Sequence, residues 1–153
     1  MYREEEVKYG RKTKAVIDSL TGENIGDQVY NTDNKIRETW NGTIWTNDYS
    51  ITGIAGEALL EGQAVHIEDV SGNPKVKLAS TGQNHAFLGL VVRGGASIGD
   101  AVVGAYKGKW NAYFEETTTH GNYFALTSTS GVLEDDGTNS AASFHTTGVI
   151  LEN

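Results

Sequence analysis

The sequence predicts an all-β chain: a small β-barrel or sandwich preceded by an extended N-terminal arm and a β-meander. Three observations carry this. The 153 residues include nineteen glycines and one proline, and Gly reaches φ > 0 without steric cost, so a glycine-rich chain is a chain of tight turns. The stretches between glycines are rich in Thr, Val, Ile and aromatics, which suit a pleated, half-buried surface. Helical periodicity with a matching cap is nearly absent.

Residues 1–20 read as the arm. Glu4, Glu5 and Glu6 precede Arg11, Lys12 and Lys14, and Val7, Lys8, Arg11, Lys14 and Ala15 form only a weak stripe with no apolar face. Mixed charge of this kind marks a solvated or partner-contacting segment. Residues 21–50 read as a meander of three short strands. Val29, Tyr30 and Asn31 lead into the polar turn Thr32-Asp33-Asn34-Lys35. Ile36, Glu38 and Trp40 then alternate with Arg37 and Thr39. Asn41-Gly42 signals a two-residue type I′ hairpin, in which both central residues need φ > 0, and Ile44-Trp45-Thr46 resumes the strand. Three strands need a packed face, so Tyr30, Ile36, Trp40, Ile44 and Trp45 must be covered by the rest of the chain or by another copy.

Residues 51–153 read as the barrel-like unit. A turn is expected over Asp69 to Asn73, with Pro74 at its exit. Phe87 to Val92 is a continuous apolar run, the mark of a strand covered on both faces, and Gly94-Gly95 ends it. One small pattern recurs: Gly26-Asp27-x-Val29, Gly56-Glu57-x-Leu59, Gly62-Gln63-x-Val65, Gly99-Asp100-x-Val102 and Gly121-Asn122-x-Phe124. The glycine makes a turn, the polar side chain bonds the turn backbone, and the apolar residue points inward. The spacing is too irregular for a solenoid.

Composition narrows the function. With no cysteine, no disulfide framework or thiolate chemistry is available. A net charge of −8 repels a phosphate backbone, so nucleic acid is not an expected partner. No apolar run approaches the roughly 18 residues that span a bilayer, so no membrane is expected either. The N-terminus lacks the apolar stretch of a secretory signal, so the sequon Asn41-Gly42-Thr43 reads as a turn.

Candidate chemistry is thin. His66, His85, His120 and His145 are scattered, and His66 with Glu68 is at most the seed of a metal site. Glu134-Asp135-Asp136-Gly137 lacks calcium-loop spacing and reads as a solvated turn. Glu115 and Glu116 are adjacent, so on a strand they face opposite ways and cannot flank one glycosidic bond. Gly94-Gly95-Ala96-Ser97-Ile98-Gly99 has no helix behind it to make a phosphate loop. No catalytic residue, metal or cofactor is expected, and the chain does not read as an enzyme. Trp40, Trp45 and Trp110 fit a sugar-stacking platform, but core or subunit-interface anchoring is the preferred reading.

Two stretches carry a resemblance. Val29-Tyr30-Asn31-Thr32-Asp33-Asn34-Lys35, followed by Trp40-Asn41-Gly42-Thr43-Ile44-Trp45, resembles a hairpin of phage tail-fibre and head-fibre proteins. Glu61 to Val65, Phe87 to Val91, Gly99 to Val103 and Gly108-Lys109-Trp110 follow one another as in the small β-barrel decoration proteins of tailed-phage capsids. This similarity covers about residues 55–114 in order and texture. It implies a virion structural protein on the capsid exterior, a capsid decoration or head-fibre base protein. The partners it implies are the major capsid protein, further copies of the chain in a homotrimer, and other head-fibre proteins. Tyr2, Arg3, Tyr9, Arg11, Lys12 and Lys14 would then form the capsid- or subunit-contact arm. Tyr30, Trp40, Trp45, Trp110 and Tyr113 would be core or oligomer-interface aromatics. The alternative is a carbohydrate-binding module of a phage tail fibre or cell-surface protein.

Overall fold

The computed structural model describes residues 8–81, 87–108, 110–115, 117–118, 123–135 and 146–149. The chain is all-β, in three sheets. Strands β1 (Arg11–Lys12), β2 (Gln28–Asn31), β3 (Ile36–Trp40) and β4 (Trp45–Asn47) form the first, in that order, with β1 parallel to β2 and the rest antiparallel. Strands β5 (Ser50–Ile54), β6 (Ala64–Val70), β7 (Asn73–Leu78), β8 (Phe87–Gly94) and β9 (Ala101–Ala105) form the second, in the order β5-β9-β8-β6-β7. Strands β10 (Tyr123–Leu126), β11 (Leu133–Asp135) and β12 (Thr146–Val149) form the third, with β10 central. The edges of the five-stranded sheet approach each other through a single parallel bridge, Ala55–Val76. Among the described residues no sheet is closed into a barrel by a ladder.

The apolar run in β8 now has its reason. Leu90, Val91 and Val92 are consecutive and all buried, yet they enter three different clusters. Val91 joins Ala55, Leu59, Val65, Val76 and Val102 on one face. Val92 joins Val103, Ala105 and the meander's Ile44 on the other. Leu90 joins Ala64, Ala79 and Leu133 beneath the third sheet. Both faces of the central strand are covered, so no polar position remains in the run.

Three of the five instances of the glycine pattern are one turn; at Gly56 the glycine does not take positive φ and Glu57 accepts from the distant Leu78 N–H instead, and Gly121 and Asn122 lie outside the described residues. Asn24-Ile25-Gly26-Asp27, Leu60-Glu61-Gly62-Gln63 and Ser97-Ile98-Gly99-Asp100 each close with a bond from the fourth N–H to the first carbonyl, at 2.9, 3.2 and 3.1 Å. The glycines have φ of 92°, 91° and 92°, the type II geometry that excludes a side chain at the third position. The fourth side chain then accepts the first residue's N–H: Asp27 from Asn24, Gln63 from Leu60, Asp100 from Ser97. Two residues on, Val29, Val65 and Val102 are fully buried, as the pattern predicts.

In the first turn, the Asn24 N–H, followed by the Lys8 ammonium, holds the Asp27 carboxyl below the usual aspartate range. The hydrogen bond to Asp27 correspondingly raises Lys8. A depressed carboxylate stabilises the fold above its unfolded value, near pH ~3.9, and that contribution disappears as pH falls through the depressed one. Asp27→Asn is therefore expected to flatten the acid limb of the stability–pH profile, measured by urea unfolding between pH 2 and 5.

Four expectations about local structure change. The described part of the arm, residues 8–20, is not extended away from the body. Lys14–Asp18 forms a five-residue helix, α1, whose Ile17 is 0% exposed against Val29 and Trp45. Five residues are too few to show a period, so the helix could not be read from spacing. Asn41-Gly42 is not a type I′ turn. Trp40 pairs with Trp45, leaving a four-residue loop in which Asn41 Oδ1 accepts the N–H groups of Thr43 and Ile44. The type I′ geometry belongs instead to Ser71-Gly72, with φ of 56° and 82°. This two-residue turn shortens the expected loop and takes Pro74 into β7, an edge strand that tolerates a missing donor. Finally, Glu134 and Asp135 lie in β11 and not in a solvated turn.

Candidate functional site

The meander sheet has two unlike faces. Val29, Asn31, Glu38, Trp45 and Asn47 alternate inward and are buried. They meet α1 and the five-stranded sheet. The junction is built on Arg93, at the end of β8. Its Nη1 bonds Glu38 on β3 and reaches the Trp45 carbonyl, and its Nε donates to Asp18 of α1 at 2.8 Å. Glu38 also accepts from the Asn31 amide at 2.7 Å, and Lys14 bridges Asp18 and Glu61 at 2.7 and 2.9 Å. Ile44 closes the same junction against Val92, Val103 and Ala105. Arm, meander and sheet therefore share one interior, and the boundary expected at residue 51 falls just after the tight turn at Asp48-Tyr49. Sequence reasoning missed Arg93, Glu38 and Asp18. Arg93 has the only local signal, a charge at the end of an apolar strand run; Glu38, between Arg37 and Thr39, and Asp18, at the end of α1, have none.

Most of the aromatic candidates are committed to this interior. Trp45 is 3% exposed, with Trp40 at 5.5 Å and Tyr9 edge-on at 6.0 Å between centroids. Trp110 packs between two core clusters, and its indole N–H donates to the Lys107 carbonyl. Tyr113 is half-exposed beside Gly62 and Asn111. Tyr30 lies on the outer face of the meander. The tryptophans are thus divided between two packed regions and do not make one open stacking platform.

Of the arm candidates, Tyr2 and Arg3 lie outside the described residues. Lys14 is drawn into the junction, and Arg11 and Lys12 are exposed on β1. His66 is buried, with Nε2 3.5 Å from Glu68. His85, His120, His145 and Glu116 lie outside the described residues. Among the described residues no three His, Cys, Asp or Glu side chains are grouped to hold a metal.

The fold leaves large apolar side chains on the surface, several of them at turns. Ile25 and Ile98 occupy the second position of two type II turns and are 79% and 74% exposed. Leu60 opens the third such turn, and Ile54 precedes Ala55; both are also exposed. Backbone bonds tie three of these sites together: Leu59 to Gly95, Gly95 to Ala101, and Gly99 to Ala55, while Ile54 pairs with Ala101. Ile25 approaches Gly42 in the loop whose Ile44 abuts Gly94. Ile25, Leu60 and Ile98, on turns locked by hydrogen bonds, and Ile54, at the end of β5, are thus linked through neighbouring backbone segments.

No protein-family model, curated protein or solved structure matches this chain.

Proposed function

We propose that this chain is a virion structural protein, a capsid decoration or head-fibre base protein that sits on the outer capsid as a homotrimer. The observation that carries the reading is the exposure of Ile25, Leu60 and Ile98 on hydrogen-bonded turns, with Ile54 at the end of β5, on an acidic, all-β body. Such a surface suits contact with another protein and offers no group for chemistry. The resemblance of residues 26–47 and 55–114 to phage surface proteins supplies the virion context. The near approach of β5 and β7 at Ala55–Val76 fits a five-stranded sheet that is an incipient small barrel, the architecture that resemblance implies.

The test is cosedimentation with capsids assembled from the major capsid protein of the virus that carries this chain. The wild-type chain is expected to pellet with them. Ile25→Asp/Ile98→Asp should leave far-UV circular dichroism unchanged, because both side chains stand in solvent, and weaken capsid binding about tenfold or more, about 1.4 kcal/mol. Failure of the wild-type chain to pellet would overturn the reading.

A further inference from the structure

The loop between β3 and β4 brings together two groups that can react with each other. Asn41 is the only asparagine in the chain that precedes a glycine, and Asn41, Gly42 and Thr43 are all exposed. Asparagine is a thermolabile residue, because the backbone nitrogen that follows it can attack the side-chain amide. A glycine in that place has no side chain to shield the nitrogen.

The fold adds three features. Asn41 Oδ1 accepts the N–H groups of Thr43 and Ile44, each at 2.9 Å. Negative charge develops on this oxygen when a nucleophile adds to the amide carbon, and paired backbone donors at such distances stabilise an oxyanion. The bond from Thr43 also closes a ring that contains both the Asn41 amide carbon and the Gly42 nitrogen, which keeps the reacting atoms near each other. Among the described residues no acceptor takes the Gly42 N–H, so solvent base can remove its proton. Two other asparagines supply an internal comparison. Asn31 and Asn47 hold their turns in the same way, but both are buried, and Thr32 and Asp48 follow them.

We propose that Asn41 is a self-modification site, at which the loop converts with age to aspartate and isoaspartate. The Gly42 nitrogen gives its proton to solvent hydroxide and bonds to the Asn41 amide carbon. The bond from that carbon to the side-chain nitrogen breaks, and the nitrogen takes a proton from water and leaves as ammonia. Water then adds to either carbonyl of the cyclic imide. Opening on the side-chain side restores the backbone with aspartate at this position. Opening on the main-chain side routes the backbone through the former side chain, as isoaspartate. Nothing is oxidised or reduced.

Isoaspartate lengthens the loop backbone by a methylene and turns the acceptor of two N–H groups into a main-chain carbonyl. Trp40 and Trp45 are paired across the base of the loop, and Ile44 within it is buried against Val92, Val103 and Ala105. The change therefore falls on the contact that seats the meander on the five-stranded sheet, and it loosens that contact.

The inference goes beyond the proposed function and is independent of it. The experiment is peptide mapping by mass spectrometry of the full chain aged in mildly alkaline buffer. The peptide holding Asn41 should exchange NH2 for OH about tenfold or more faster than those holding Asn31 and Asn47. The product carries an added negative charge and should elute later from an anion exchanger. The chain aged in urea, where the two donors are no longer held, should react several-fold more slowly at Asn41. Gly42→Ala, whose added carbon meets only the Ile25 side chain, should slow the reaction about tenfold. The isoaspartate form, once separated, should unfold at a lower urea midpoint than the unaged chain. A rate at Asn41 no greater than at Asn31 or Asn47, a folded chain that reacts no faster than the unfolded one, a Gly42→Ala chain that ages like wild type, or an isoaspartate form as stable as its parent would overturn the proposal.

Discussion

Arg93→Met is expected to cost about 3–5 kcal/mol of stability, the range for breaking a buried ion pair from one side. The loss comes mainly from Glu38. Its side chain is 3% exposed and Asp18 is 39% exposed, so water can replace the guanidinium at Asp18 but not at Glu38. Asn31 would still donate to Glu38, but one neutral amide does not balance a desolvated carboxylate. For a chain of this length the change corresponds to a fall in melting temperature of roughly 6–20 °C, read by calorimetry or by the urea midpoint. Arg93→Met/Glu38→Gln should recover most of the loss, because removing both charges removes the uncompensated one and keeps an acceptor for Asn31. A single variant as stable as wild type would mean that the meander is not anchored through Arg93.

Arg93 also shows where reading the sequence stops. Each strand of the meander was legible, because alternation and turn chemistry act over a few residues. The Gly-polar-x-apolar pattern was legible too, since Gly26, Gly62 and Gly99 share one backbone conformation and the valine after each is buried. Glu38 and Arg93 are 55 residues apart, and nothing in either neighbourhood names the other. The misplaced type I′ turn has a similar cause. Asn-Gly favours that turn, but the Asn41 side chain captures two backbone N–H groups and stabilises a longer loop. The exposure of Ile25 and Ile98 was invisible for a different reason. Ile25 and Ile98 look like strand residues by type, and only the fold places them in turns, facing water.

The largest effect is expected at the glycines of β8. Gly89→Ala should cost more than about 4–5 kcal/mol, beyond the ordinary range for a point substitution, and yield little soluble protein. Two terms add. Gly89 has φ of 151°, a region that L side chains rarely adopt. A Cβ there would also fall onto the Ala105 carbonyl, coming within 2.6 Å of its carbon and 3.0 Å of the Tyr106 nitrogen. These are backbone atoms of the neighbouring strand β9, so relief requires moving a strand that is buried on both faces. Gly94→Ala should behave alike, since its Cβ would meet the Ala101 carbonyl and come within 2.8 Å of Ile44 Cδ1, prising the meander from the sheet. Gly99→Ala is the control. Its φ is 92°, but nothing lies within 4 Å of the added carbon. That variant should therefore lose only the conformational cost, roughly 1–2 kcal/mol, and remain folded. If urea unfolding gave Gly89→Ala and Gly99→Ala the same loss, close approach of β9 would not be what fixes these glycines in the central strand.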